Sequence, residues 1–539
     1  MYGSITLENR FGVNKMELIS LKYAIFVIVL LVLYYCFPKK YRWYVLLAGS
    51  MAYYVIICKW YVLFIIFTIC TTYGSTIWID KLLKKQNAVV KSHKEDWDRQ
   101  TRKEYKEKGR KKRVAVMLFA LLCNFGILAF LKYIPYAGEL GLLLPLGISF
   151  YTFQSMGYVM DVYREIVEPE KNFFKVALFV SFFPQIIQGP IAIYDKLAGQ
   201  LYEGHSLRLE NLQKGALLVL WGVMKKLVIA DRAVNIINFV MDKPMDFSGT
   251  YVFFAAVVYA LQLYADFSGG IDIVRGIAEM FGITMSTNFN HPYFSRSLTE
   301  YWHRWHMTLG DWCRNYIFYP LSISKRFLNF GKWLKPRFGA HISKVLPGCI
   351  ASVITFIVIG VWHGANMKYL YFGLWNGIVI MLAELFAPVN KKVAGGFFKL
   401  TGLREKGIFA TIISVLWTFM LILVGYYFDI AANASTAFHM LFKSVTDFHI
   451  GELGINNIIL NLGACGLDKY DILLLIICTL LWFFISFVEE NKKLDMRDFI
   501  LSRKLPLRWA IIYLGIFIVI IFGYYGPGVN PADFVYMQF

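Results

Sequence analysis

Charged residues are scarce in this chain of 539 residues. Only 17% of the residues are charged, whereas 58% are hydrophobic and 17% are aromatic. A soluble protein of this length needs more charge than this to cover its surface. The composition therefore excludes an ordinary soluble enzyme or binding module, and it predicts an all-α, polytopic membrane protein.

Metal-binding and disulfide patterns are also missing. Most of the eight cysteines lie inside apolar runs and none forms a C-x-x-C pair, so the sequence predicts neither a disulfide framework nor a zinc site. The segment around Ser268, DFSGG, is not a G-x-S-x-G nucleophile elbow, and a bend is the better interpretation of it. We expect no bound metal.

Apolar runs long enough to cross a bilayer recur along the whole chain, since about 20 residues suffice for one crossing. We expect about 11 to 13 membrane-embedded helices, some of them broken or re-entrant. No A-x-A-like cleavage site follows the first run, which is therefore expected to be retained as a span. The clearest runs are Glu17–Phe37, Trp60–Ile79, Val114–Lys132, Tyr251–Ala265, Val345–Val361, Tyr369–Phe386, Ile408–Phe428, Asp471–Val488 and Trp509–Tyr524.

Much of the formal charge of +20 lies in one segment. Residues 81–113 hold fourteen Lys or Arg against five Asp or Glu, which marks the cytoplasmic side of the membrane. A second basic turn, Lys39–Arg42, is separated from this segment by an even number of spans, so the N-terminus is expected outside. Charge confined to such segments indicates contact with the lipid bilayer and not with nucleic acid.

The chain shows no internal repeat and no long linker, which predicts a single membrane domain over residues 1–539. Its expected parts are N-terminal spans in 1–80, a basic cytoplasmic loop in 81–113, a core that holds the site in 114–390 and C-terminal spans in 391–539. Between Ala265 and Pro320 the apolar pattern breaks up. Polar residues and glycines at membrane depth are tolerated only in protein or beside a wet cavity, so this part is the expected site.

Two histidines in the segment WHRWH are three residues apart and would share a face of a helix. A metal site needs further ligands, which no neighbouring motif supplies. Trp, His and Arg are also enriched where helices meet the membrane interface. For His303 and His306 the segment alone therefore leaves two interpretations open, a functional site and an interfacial helix.

A further histidine, His363, closes an apolar run in the segment VWHGAN. A histidine at this position must face protein or a cavity, not lipid. Imidazole titrates near neutrality and suits a general base, while Gly364 allows a close approach beside it. A histidine that only forms a hydrogen bond in a helix cap is the alternative. Gln185, among Pro and Gly residues in FFPQIIQGP, could line a polar path.

Five segments together resemble the membrane-bound O-acyltransferase family, and within it the bacterial branch that O-acetylates alginate and other exported polysaccharides. They are LPLGISFYTFQSMGY, FFPQIIQGP, YALQLYADFSGG, NFNHPYFSRSLTEYWHRWHMTLGDWCRNYIFYPL and VWHGAN. The resemblance extends over nearly the whole chain. It implies helices around a central funnel or tunnel, and transfer of an acyl group across the membrane from a cytoplasmic thioester to a hydroxyl at the outer side.

The resemblance implies that His363 is the principal catalytic residue and that His306 is its assisting partner, whereas His303 has no such standing. His363 would accept the proton of the attacking hydroxyl. His306, Arg304 or Asn315 would donate to the oxyanion. The residues expected to line the substrate tunnel are Asp266, Asn290, Arg304, Asn315, Trp362 and Gln185.

Two positions depart from the family pattern. Related proteins commonly read DFSGYSD where this chain reads DFSGGID, and Asp429 stands where an Arg often follows two aromatic residues. Neither change involves the two histidines, and both leave the acceptor open.

The expected function is therefore an acetyltransferase of the bacterial cytoplasmic membrane that works with an extracytoplasmic acetyltransferase-like or esterase-like partner. No cofactor is expected to be tightly bound, since acetyl-CoA or an acyl carrier protein is a substrate; a carrier protein would be a cytoplasmic partner. One alternative is a D-alanyl transferase for teichoic acid that uses a carrier-protein thioester. Another is a non-enzymatic transporter, which should show paired inverted halves that the sequence lacks.

Overall fold

The computed structural model describes residues 16–134, 138, 142, 144–401, 404, 407–454, 457, 465–526 and 534, without the side chains of residues 397 and 398. Within these residues the regular structure is helical and no strand occurs, which confirms the predicted all-α class. The chain divides into two compact units, and the single membrane domain expected over residues 1–539 stays a prediction. The first comprises Met1–Val219 and Ile271–Ser286, and the second Leu220–Gly270 and Thr287–Phe539.

Seven helical segments in the described part of the chain are long and apolar enough to cross a membrane, and a bent pair of helices is an eighth candidate. One of the seven, Lys39–Ser92, contains two helices on either side of a break at Lys59–Tyr61. Two shorter apolar helices, Leu21–Cys36 and Phe173–Gln188, add to this number. Each of the nine predicted runs coincides for most of its length with a helix, and the polytopic membrane architecture is confirmed.

The first unit begins with a series of helices: α1 (Leu21–Cys36), α2 (Arg42–Cys58), α3 (Val62–Ser92), α4 (Arg99–Tyr133), α5 (Ile148–Tyr163), α6 (Phe173–Ser181), α7 (Phe183–Gln188), α8 (Tyr194–Tyr202) and α9 (Leu209–Met224, which continues beyond this unit). The basic segment 81–113, expected as a loop, is helical except at residues 93–98. The side chain of Asp98 starts α4 because it accepts hydrogen bonds from the backbone N–H groups of Gln100 and Thr101.

The helices of the second unit are α10 (Asp231–Met241), α11 (Gly249–Met280, which continues beyond this unit), α12 (Leu298–Arg304), α13 (Met307–Cys313), α14 (Tyr319–Ser322), α15 (Lys325–His363), α16 (Met367–Leu385), α17 (Ala387–Thr401), α18 (Ile408–Ile430), α19 (Ala434–Thr446), α20 (Lys469–Lys492), α21 (Met496–Leu501) and α22 (Leu505–Phe522). Two π-helical turns, Lys225–Ala230 and Arg314–Phe318, interrupt the α-helices.

The close packing of α15 against α16 holds the end of α15 in place. A Cβ atom on Gly360 would lie 2.2 Å from the carbonyl oxygen of Tyr369, and one on Gly373 would lie 2.3 Å from that of Phe356. Small residues at such an interface let two helix backbones approach closely. The end of α15, where His363 lies, is thereby fixed against the start of α16.

Candidate active site

His306 lies at a break between two short helices. α12 ends at Arg304, and His306 adopts a positive φ of 43° before α13 begins at Met307. The backbone on both sides of the break pairs with an extended segment: Met307 N–H donates to Asn288 O (2.9 Å), and Asn290 N–H donates to Arg304 O (3.0 Å). His306 is only 1% exposed. The broken helices expected in this part of the chain are present.

The break separates the two neighbouring histidines. The sequence suggested that His303 and His306 share one face of a helix, but the change of backbone direction at His306 ends α12 before that residue. His303 is exposed, and its Nδ1 lies 3.4 Å from a guanidinium nitrogen of Arg314. The two histidines therefore lie in different surroundings, and the functional difference between them that the resemblance implies stays a prediction.

Asn288 fixes the tautomer of His306. The Oδ1 atom of Asn288 accepts a hydrogen bond from the backbone N–H of Thr308 (3.1 Å) and another from the Thr308 hydroxyl (2.9 Å). Because a backbone N–H can only donate, the amide atom at this position is the oxygen. His306 Nδ1 lies 3.1 Å from the same oxygen and must carry the proton in order to donate to it. The lone pair of the ring is then on Nε2.

The environment of His306 keeps its imidazole neutral. His306 is in none of the candidate spans, and its burial, with a smaller effect from the nearby His363, lowers the pKa of the imidazole to about 3. Phe267 packs edge to face against the ring, with 4.8 Å between the ring centroids. His306 is therefore a neutral ring whose second nitrogen is an acceptor.

His363 is the last residue of α15 and is 9% exposed. Its ring lies among aromatic side chains, with centroid distances of 4.9 Å to Trp362, 6.0 Å to Tyr369 and 5.5 Å to Phe372. A Cβ atom on Gly364 would lie 2.5 Å from Cε2 of Tyr369. Because Gly364 has no side chain, the ring of Tyr369 can lie close to its backbone and stack on the imidazole of His363.

His306 and His363 line the same cavity. This is the geometry that a site shared by the two histidines needs. The volume in which the centre of a water molecule fits is about 20 Å³, so the cavity has room for one or two waters. Trp362 contacts both rings, since its centroid lies 6.4 Å from that of His306 and 4.9 Å from that of His363. Trp362 itself does not line the cavity; besides the two histidines, the lining residues are Leu263, Tyr301, Trp302, Trp305, Leu309, Phe372, Asn376, Ile422, Tyr426 and Asp429.

The tyrosine hydroxyls at and beside the cavity wall donate hydrogen bonds to other oxygen atoms of the protein. Tyr293 donates to the carbonyl oxygen of Ala260 (2.6 Å), so the hydroxyl of Tyr426, 3.2 Å away, donates to Tyr293. Tyr301 in turn lies 2.7 Å from Tyr426 and donates to it. These hydroxyls form a directed chain whose protons are all donated to protein oxygens.

Asp429 is a further polar residue of the cavity wall, which the sequence marked only as a departure from the family pattern. The Tyr259 hydroxyl donates to its Oδ2 (2.7 Å), and Lys368 Nζ donates to its backbone carbonyl oxygen (2.7 Å). A carboxylate is thereby held at the cavity near the end of α18.

None of the six residues predicted to line the tunnel is among the described residues that line this cavity. Arg304 forms ion pairs with Glu300 (2.7 Å) and Glu490 (3.0 Å). Asn290 is exposed, and Asn315 lies in the π-helical turn Arg314–Phe318. Their function in substrate binding stays a prediction.

Asp266 is fully buried in an ion cluster and is also not a lining residue of this cavity. Lys226 Nζ lies 2.7 Å from a carboxylate oxygen of Asp266 and 2.7 Å from one of Asp231. Gln185 belongs to the first unit, where its side-chain amide donates to Oε1 of Gln154. Among the described residues, no group of three or more His, Cys, Asp or Glu could hold a metal ion.

Comparison with known proteins gives three kinds of relative. The probable alginate O-acetylase AlgI of Pseudomonas syringae pv. tomato is 30% identical over 58% of this chain and 54% of its own length. The peptidoglycan O-acetyltransferase of Helicobacter pylori is 28% identical over 66% of either chain. The teichoic acid D-alanyltransferase of Bacillus subtilis is 26% identical over 52% of this chain and 67% of its own. The chain thus spans about half to two thirds of the length of these relatives.

The family model described as MBOAT, membrane-bound O-acyltransferase family, matches residues 169–335. This range includes Asn288 and His306, and it ends before His363. The motifs, the helical membrane architecture and these similarities agree. The chain is similar to the membrane-bound O-acyltransferase family, and its relatives include bacterial O-acetylases of alginate and of peptidoglycan.

Proposed function

We propose that this protein is an O-acyltransferase of the bacterial cytoplasmic membrane. It moves an acetyl group from a thioester donor on the cytoplasmic side toward a hydroxyl of an exported polysaccharide, with an extracytoplasmic acetyltransferase-like or esterase-like partner that completes delivery. The observation that carries the proposal is the single cavity lined by His306 and His363. Relatives named as O-acetylases of alginate and of peptidoglycan support the acyl group and the class of acceptor.

In the proposed reaction the oxygen of the acceptor hydroxyl attacks the carbonyl carbon of the thioester. His363 accepts the hydroxyl proton while the new C–O bond forms. The C–S bond then breaks and the proton passes to the sulfur, so that an ester and a free thiol result. No covalent intermediate on the protein is needed, because the acceptor oxygen attacks the thioester carbon directly when the two are held side by side.

Of the two roles that the sequence suggested for His306, assisting or orienting, we propose the orienting one. In its tautomer the cavity-facing nitrogen carries a lone pair, so the ring has no N–H to donate to an oxyanion. It can instead accept a hydrogen bond from His363 or from the acceptor hydroxyl. We propose that His306 orients these groups and that His363 transfers the proton.

D-alanyl transfer is a second candidate. The teichoic acid D-alanyltransferase of Bacillus subtilis is among the relatives. In addition, the carboxylate of Asp429 at the cavity would attract an acyl group that carries an ammonium. A carrier-protein thioester on the cytoplasmic side would then be the donor. The two candidates share the chemistry of His363 and differ in the acyl group.

The test is the ester content of the surface polymer in cells that lack the native protein and produce the wild type or His363→Ala at equal level. Mild alkali releases ester-linked acyl groups, which are identified by chromatography. We expect acetate with the wild type and at least a 100-fold lower amount with His363→Ala. Released alanine would favour the second candidate, and undiminished acetate in the His363→Ala strain would contradict both.

A further inference from the structure

A second cavity lies between α3 and α4 in the first unit, in the basic segment that is expected on the cytoplasmic side. It has a volume of about 650 Å³ and opens to the surface. Its lining includes the basic side chains Arg99, Arg102, Lys103, Lys106, Arg110 and Arg113, together with the carboxylates of Glu107 and Glu165. Six cations and two anions leave a net charge of +4. We name this cavity the basic groove.

The spacing of the cations along α4 places them on one face. Arg99, Arg102 and Lys106 follow one another at intervals of three or four residues, and Arg110 and Arg113 continue the row. The positive-inside rule depends on the number of cations near the membrane and not on the helix face that they occupy. It therefore does not explain why these cations lie on one face of α4. The alignment therefore needs its own explanation.

The opposite wall of the groove comes from α3 and carries Gln86, which is 6% exposed. A Cβ atom on Gly109 of α4 would lie 1.9 Å from Oε1 of Gln86. The side-chain amide of Gln86 therefore packs directly against the backbone of α4 at Gly109. The groove is thus a shaped site between two helices and not a flat basic surface.

The cations of the groove differ in how far they are neutralised. Arg110 forms an ion pair with Glu107 (2.5 Å), and Arg113 Nη1 donates to Glu165 (2.8 Å). Arg99, Lys103 and Lys106 have no ion pair or hydrogen bond with the described residues.

Arg113 is the buried donor of the groove. It is 7% exposed, and its Nε–H has no hydrogen-bond partner in the described part of the chain. Leaving a buried guanidinium N–H without an acceptor is unfavourable, and clustered like charges repel one another. Both costs disappear when an anion with several acceptor oxygens occupies the groove.

We propose that the basic groove binds the phosphate groups of an anionic ligand. Phosphate offers the multiple oxygen acceptors that match a row of guanidinium and ammonium groups. The volume of about 650 Å³ exceeds a single phosphate and is within the range of small-molecule sites. A soluble phosphorylated molecule such as coenzyme A and the headgroup of an anionic phospholipid both present this chemistry. The inference is independent of acyl transfer, since its test measures binding.

The test compares two double variants of the full-length protein in nanodiscs of neutral phosphatidylcholine. Lys103→Gln with Lys106→Gln removes two cations that line the groove, whereas Lys108→Gln with Lys112→Gln removes two from other positions of α4. Binding of inorganic pyrophosphate and of coenzyme A is measured by titration calorimetry. In a second arm, the protein is purified from lipid mixtures with phosphatidylglycerol, and the retained lipid is quantified by mass spectrometry.

We expect the groove variant to bind its ligand about tenfold more weakly and the control variant to match the wild type. Weaker binding of pyrophosphate or coenzyme A assigns the groove to a soluble phosphorylated molecule. Reduced retention of phosphatidylglycerol, without binding of the soluble probes, assigns it to a lipid headgroup. Equal effects of the two variants, or no binding in either arm, would overturn the proposal.

Discussion

The imidazole of His306 donates from Nδ1 to the side-chain oxygen of Asn288 across 3.1 Å. The same oxygen accepts a hydrogen bond from the backbone N–H of Thr308, and that donor identifies it as the oxygen of the amide. Asn288 therefore determines which nitrogen of His306 carries the lone pair. It is a positioning residue that acts through His306, in the way that partners of metal-bound histidines fix the tautomer of the ring.

The first prediction concerns the removal of this acceptor. In Asn288→Leu the ring of His306 can rotate and can adopt either tautomer. We expect the rate of acyl transfer per folded protein to fall by about 10- to 100-fold. The measurement is the initial rate of ester formation in membranes that contain equal amounts of wild type and variant, with size-exclusion chromatography as the control for folding.

Asn288→Asp distinguishes positioning from simple packing. A carboxylate beside Nδ1 favours the protonated ring, so it raises the pKa of His306 from its value of about 3. Activity is lost as the pH falls through this pKa, because the protonated ring has no lone pair. The acid limb of the pH–rate profile should therefore move to higher pH than in the wild type. An unchanged profile, together with a fully active Asn288→Leu, would show that Asn288 only fills space.

The second prediction uses the two neighbouring histidines as a matched pair. His306 is buried at the cavity, whereas His303 is exposed. His306→Gln should reduce the transfer rate at least 100-fold, and His303→Gln should change it by less than about twofold. Equal losses in the two variants would refute the assignment of His306 to the site.

The third prediction concerns the ion cluster around Lys226. Its ammonium lies 2.7 Å from both Asp231 and Asp266, and all three side chains are buried. Lys226→Met leaves two carboxylates without their cation, which costs about 3 to 5 kcal/mol of stability. We expect the variant to be absent from the monodisperse peak in fluorescence-detected size-exclusion chromatography.

Neutral replacement of the whole cluster is the control. Lys226→Met combined with Asp231→Asn and Asp266→Asn removes the charges of all three side chains together, and buried ion clusters can often be replaced in this way at little cost. This triple variant should regain part of the folded yield and keep the rate of acyl transfer within about tenfold of the wild type. A folded Lys226→Met that has lost its activity would instead support Asp266 as a residue of the substrate path.

The long apolar helices could be predicted from the sequence because lipid imposes a strict rule. A spanning segment must be apolar and must satisfy its own backbone hydrogen bonds, so the run Ile408–Phe428 nearly coincides with α18, Ile408–Ile430. No comparable rule predicts the secondary structure of the basic segment. Charge marked residues 81–113 as extramembrane, but the hydrogen bonds that make most of it helical do not depend on charge.

The details of the site could not be predicted in the same way. The positive φ of His306 is unusual for a residue other than glycine, and the pattern of residues gives no sign of it. Asn288 and Asn290 are two residues apart, and Asn290 was the one predicted from the sequence to lie at the site. Which of the two approaches His306 depends on the backbone pairing with Arg304 and Met307, and it is Asn288 that is buried.

The most direct measurement of the central claim is a double-mutant cycle on His306 and His363. If the two imidazoles act as one unit in one cavity, loss of either removes the function of both. We predict that His306→Ala and His363→Ala each lower the rate of ester formation at least 100-fold, and that the double variant is no slower than the slower single variant. A double variant whose loss equals the product of the two single losses would show that the histidines act independently and would contradict the account.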